Sequence, residues 1–274
     1  MPDANPITEH WRTELQIYYQ NLLLVQEQMN AEAIHDLRVA IKKLRSYVQL
    51  YAVLFEKKDA EEIFAKTKEL FSVLGKYRNM EITRQLVFSF YNNKEGVLNS
   101  LFVYLQLLQD QIGDYCRQVL QGFKETGLDE MTKLLEKDFE NFNPEANAEK
   151  IKNVVASSMK KVEKSLKHFK NKSHLARKHL KDIFYWAKIF PDNFIFTKPQ
   201  LKTLSRILDH LGNVQDHEMM ITNLKNFRKT VLFSNLVEYD LIKKIETKAE
   251  KKKNRFLEKA NKMTEELLIK TGPE

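Results

Sequence analysis

Apolar residues recur at helical spacing along nearly the whole chain, and no segment alternates for long with the two-residue period of a strand. Start and stop signals divide the pattern into elements. Thr8 is placed to cap a first helix of about 8–29, and Asn30 a second of about 31–56. Asp59 with Glu62 has the spacing of a capping box and predicts a third helix over about 60–78, followed by a separate segment of 80–91. A long helix of about 97–123 and a short one over DEMTKLLEKDFENF lead to the break at Asn143-Pro144. Beyond it the pattern predicts a helix of about 145–170 and an interruption at NKS, where Ser173 would cap a helix ending before Pro191. Thr197 and Pro199 then open another helix, and a last long one covers about 233–269. With only 7 Gly and 6 Pro for turns, the expected fold class is all-α.

Two motifs recur in the same order. His-x-x-Arg with a Lys seven residues after the His occurs at His35 and again at His174, an offset of 139. LGKYRNMEI (74–82) and LGNVQDHEM (211–219) place Gly75 and Gly212 at an offset of 137. A duplicated helical unit, each copy a bundle of about four helices, accounts for both offsets: residues 1–143 and 144–274, together one domain.

Helical phase shows what the repeated motif presents. With His35 at 0°, Arg38, Lys42, Arg45 and Gln49 fall at about 300°, 340°, 280° and 320°, and Lys43 at about 80°. Ile34, Leu37, Ile41, Leu44, Tyr47, Val48 and Tyr51 fall between about 120° and 260°, so a cation ladder runs beside a core face. With His174 at 0°, Arg177, Lys181 and Lys188 fall at about 300°, 340° and 320°, and Lys178 at about 40°. The second ladder is thinner, and it carries one aromatic, Tyr185, at about 20°.

Charge changes the picture. The chain carries +8 at a pI near 9.2. Between Lys150 and Lys188 stand twelve Lys/Arg against Glu163 and Asp182, a local +10 that leaves −2 for the remainder. Concentrated positive charge suits a polyanion. Arg offers a donor fork matched to phosphate oxygens, Lys a mobile point charge, and His beside a phosphate a further donor. No acid interrupts the first ladder.

Other chemistries find little support. No phosphate-binding Gly-rich loop, zinc-protease helix or nucleophile elbow occurs, so no enzyme is expected and no cofactor is implied. Asp209 and Asp216 share a helix face, but helix-capping and ion pairing explain them as well as a metal does, and no metal site is assigned. Single-stranded nucleic acid would suit the same ladder, yet Tyr47 and Tyr51 face the core, which leaves the first stripe without a base-stacking platform. A helical scaffold stays open, as does a homodimer through a seam on the last helix. No signal peptide is visible and the greasiest run, VLNSLFVYLQLL, is too short to span a membrane. With Cys116 the only cysteine, the cytoplasm is the expected compartment.

H-x-x-R-V-x-x-K-K-x-R in the first half, H-x-x-R-x-x-x-K in the second and the Leu-Gly motif in each resemble the CHAD family, the conserved histidine α-helical domain. The resemblance covers the chain from about residue 8 to the final helix. It implies two four-helix bundles about a pseudo-two-fold axis and a basic groove that binds inorganic polyphosphate without catalysis. By position it implies phosphate contacts from His35, Arg38, Lys42, Lys43 and Arg45, and from His174, Arg177, Lys178 and Lys181, with Arg78 following the first Leu-Gly motif. Asn79 stands where the family favours Asp, and Asp182 and Phe184 stand where it favours cations, so the second half is expected to bind less strongly.

Overall fold

The computed structural model describes residues 5–57, 59–91, 96–124, 127–190 and 194–271. Among them lie nine α-helices and no strand: α1 (Pro6–Gln28), α2 (Ala31–Leu54), α3 (Thr67–Phe90), α4 (Asn99–Gly122), α5 (Leu128–Phe139), α6 (Ala148–Leu166), α7 (Phe169–Ile189), α8 (Lys198–Thr230) and α9 (Val237–Thr271). A 3-10 turn, Ala60–Phe64, separates α2 from α3. None of the helices is long and apolar enough to cross a membrane among the described residues.

Two expected caps are present. The Asn30 side chain accepts from the amides of Glu32 and Ala33, at 2.9 and 3.0 Å, which satisfies two of the donors a helix start leaves free. Thr197 and Gln200 form a reciprocal box, with the Thr197 amide donating to Gln200 Oε1 at 2.8 Å. Elsewhere tertiary contacts moved the boundaries. Asn5, not Thr8, caps α1, and its Nδ2 donates to the carbonyls of Phe139 and Phe142 at 2.9 and 3.0 Å, tying the helix start to the end of α5. Asp59 makes no side-chain cap, and α3 begins only at Thr67 but then runs unbroken through Arg78 and Asn79 to Phe90. The NKS triplet lies inside α7, whose break from α6 falls at Lys167 and His168, so Ser173 caps nothing.

Helices neighbouring in sequence pack as hairpins, α1 with α2, α3 with α4, α6 with α7, and α8 with α9. Four of them close a ring at the centre: α2 touches α3 and α7, and α8 touches the same two. The core face expected for α2 is the observed one, with Ile34, Leu37, Ile41, Leu44 and Val48 all 0 % exposed. Apolar packing crosses the Asn143-Pro144 break. One buried cluster joins α1, α2, α5 and the near ends of α3 and α4 to α6, α7, the first part of α8 and the end of α9, and another joins the rest of α3 and α4 to α8 and α9. At the α2–α7 crossing the Trp186 indole donates to the Ser46 carbonyl at 2.7 Å, a buried bond that sets how the two helices meet.

Candidate functional site

The crossing brings the two His-x-x-Arg helices together. Arg38 and Lys42 on α2, one turn apart, lie close enough to Arg177 and Lys181 on α7 for each pair to oppose the other's protonation. All four are partly buried. Burial and then Lys181, Arg38 and Arg177 push the Lys42 ammonium down to about 6, against a weaker pull from Asp216. Burial, Arg177 and Arg38 push Lys181 down to about 8, with Asp182 opposing. Burial lowers Arg38 to about 10 and lowers Arg177 as well, the latter opposed by Asp216, Tyr185 and Asp209. Such a cluster is poised for an anion, since an added negative charge relieves the repulsion without loss of a proton and favours the charged form of each lysine.

Neighbouring helices hold the ladder in place. The Arg38 guanidinium lies 4.1 Å from the centroid of the Phe71 ring and donates to the Phe71 carbonyl. Beyond it is Gly75, where an added Cβ would come within 2.7 Å of Arg38 Nη1. Across the ring of helices Gly212 also faces an arginine, but a Cβ there would lie 3.4 Å from Arg177 Nη2, an ordinary contact. Glycine inside a helix costs about 1 kcal/mol relative to alanine. At Gly75 that cost gives room for a guanidinium, which explains the first Leu-Gly motif as the seat of Arg38.

The remaining expected residues divide into three groups. His35 is near the ladder: burial, then Arg78, Lys42 and Lys181 lower it, with Asp36 opposing. Arg78 is ion-paired with Glu81, and its Nε is buried without a hydrogen-bond partner, as is Nε of Arg177. Lys43 points away to α1, where its Nζ lies 2.5 Å from Oε1 of the buried Glu14. Arg45 and Lys178 flank Asp182, whose carboxyl burial raises to about 6 while Lys178, the Ser46 hydroxyl and Arg45 pull it back. His174 and Lys178 are exposed on α7.

Three features escaped the sequence reading. Phe71 occupies the underside of Arg38 and Lys42, the latter 5.6 Å from its centroid. Asp216 is the carboxylate that faces Arg177, Arg78 and Lys42, and burial raises it. Tyr185, placed on the cationic arc by helical phase, is only 6 % exposed and lies under Lys181. It offers no free ring to a nucleobase. Among the described residues no group of His, Cys, Asp or Glu is arranged to hold a metal ion.

Comparison with known proteins bears on this arrangement. Residues 13–225 match the family model of the CHAD domain. The crystal structure of the CHAD domain from the plant Ricinus communis has the same fold, with a TM-score of 0.69 over 96 % of this chain and 91 % of that one, at 15 % identity. No curated protein sequence matches.

Proposed function

Because the chain belongs to the CHAD domain family, we propose that it binds inorganic polyphosphate, without catalysis, in the basic groove where α2, α3, α7 and α8 meet. One observation carries this reading: Arg38, Lys42, Arg177 and Lys181 converge from two helices far apart in sequence, with Asp216 the main carboxylate opposing them. A linear polyanion laid across the crossing would meet Arg forks for its non-bridging oxygens and Lys point charges between them. His35 and His174 would extend the contacts toward the start of each ladder. Lys43, committed to Glu14, would act through the position of α1.

In the same reading the chain is a duplication, residues 1–143 and 144–274, about a pseudo-two-fold through the α2–α7 crossing. The paired approaches, of Arg38 to Gly75 and of Arg177 to Gly212, support it. A ligand without bases is favoured because both aromatics near the ladder lie beneath cations, Phe71 under Arg38 and Tyr185 under Lys181.

Competition decides between the two polyanions. Long-chain polyphosphate and single-stranded DNA, matched in phosphate, are set against each other at about 50 and 200 mM salt. Polyphosphate is expected to displace the DNA and to stay bound at the higher salt. Equal binding, lost equally in salt, would reduce the groove to a general basic surface.

A further inference from the structure

Outside the groove the strongest feature is the exposed side of the α6–α7 hairpin. Helix α6 turns Ile151, Val155, Met159 and Val162 inward. Its other face and the start of α7 expose Lys160, Lys161, Lys164, Lys167, Lys170 and Lys172. Glu163 is the one acid in that stretch. None of these lysines is ion-paired among the described residues, where the ion pairs formed lie elsewhere. Helix α9 is the instructive contrast. It is as rich in lysine, but Glu250, Glu258, Glu265 and Glu266 are interleaved, and Lys253 pairs with Glu250 at 2.6 Å. Bulk lysine content is therefore similar on the two surfaces, and only one is uncompensated.

The uncompensated surface is also continuous with the groove. On α7, Lys178 stands between Arg177 and His179. Lys178 and, from α6, Lys161 are both close enough to His179 to oppose its protonation. Positive charge thus runs from Arg177 and Lys181 past the exposed Lys178 toward Lys161 on the outer face of α6.

We propose that this face is a second anion-binding surface, which takes the part of a polyphosphate chain that overruns the central groove and so makes the protein selective for long chains. The inference rests on the polyphosphate reading of the groove. Short phosphates would occupy the groove alone. Longer ones would add contacts on α6 that are individually weak, solvated and salt-sensitive, but numerous.

The test uses the full chain with Lys160, Lys161, Lys164 and Lys167 all changed to Gln, and as control the full chain with Lys244, Lys248, Lys251 and Lys262 of α9 changed likewise. Tripolyphosphate and long-chain polyphosphate are titrated into each across a salt series. For the α6 variant, tripolyphosphate affinity should equal that of the wild type, which also reports intact folding. Its long-chain affinity should fall by about tenfold at low salt, and the slope of log affinity against log salt should become shallower by up to about 3. The α9 variant should keep wild-type binding of both. Unchanged long-chain binding in the α6 variant, or equal loss in both variants, overturns the second surface while leaving the groove intact. A wild-type protein that binds neither ligand overturns the groove reading itself, and the inference with it.

Discussion

Changing Lys42 to Glu is expected to make the ligand-free protein more stable and, at the same time, nearly unable to hold polyphosphate. Lys42 is partly buried among Arg38, Arg177 and Lys181, and its ammonium is held near 6 by burial and by those neighbours. With that value Lys42 is largely neutral in the free protein at neutral pH, whereas a carboxylate there gains three attractions, with Asp216 the one unfavourable neighbour, against the cost of burying its charge. A net stabilisation of about 1–2 kcal/mol is expected, the three attractions outweighing that desolvation. Binding should suffer in proportion, because a donor to phosphate becomes a like charge facing it. Loss of one charge-assisted contact plus the new repulsion amounts to about 3 kcal/mol or more, a hundredfold or greater loss of affinity. Thermal unfolding and polyphosphate titration of the same variant check both halves. Lys248→Glu, on the exposed face of α9, should move neither by much. A destabilised Lys42→Glu protein, or one that binds as the wild type does, would show that the ladder is not held in conflict for the sake of an anion.

The second large effect is on pH. In the free protein Lys42 is lowered to about 6, Lys181 to about 8, and His35 below its ordinary range. A bound polyanion favours the charged form of each, so binding raises all three and takes up protons at neutral pH. Affinity must then fall as pH rises from about 6 to 9, by up to tenfold per pH unit for each coupled proton. Asp182, raised to about 6 between Lys178 and Arg45, ionises over the lower part of that window and weakens anion binding in the same direction. Asp216, raised by burial and held back by Arg177, is the carboxylate that opposes anion binding beside Arg177 and Lys42. Stability of the free protein runs the other way. Lys42 has a folded-state value below its unfolded one, so the unfolded chain binds more protons and stability rises with pH above about 6. Calorimetry in two buffers of different ionisation heat measures the uptake directly. Proton release, or affinity that is flat in pH, would contradict the buried-ladder arrangement.

How far the sequence reaches is visible in single residues. Phase along one helix was legible: Leu37, Ile41 and Leu44 are fully buried, and Arg38 and Lys42 share a face, because 100° per residue leaves no freedom once the helix exists. Lys42 and Lys181 were named as members of one surface from the repeated motif, and the structure places them close together. What lies opposite a face was not legible. Lys43 meets Glu14 because α1 packs there. Tyr185 is buried despite its phase, with Tyr47 of α2 and Glu14 of α1 close to it. Phe71, the support of Arg38, sits in no recognisable motif. Polar clusters misled where packing overrode them. Asn171, Lys172 and Ser173 continue α7, and Asn79 is inside α3, since a helix held by its buried face tolerates weak formers on its exposed one.

Stoichiometry tests most directly whether the two histidine helices line one site. Tripolyphosphate is titrated calorimetrically into the wild type, Lys42→Glu and Lys181→Glu proteins at one pH and salt. A joint groove predicts a single site per chain in the wild type and loss of that whole site in either variant. Two sites per chain, each removed by only one of the substitutions, would mean that α2 and α7 bind anions separately and that the shared groove does not exist.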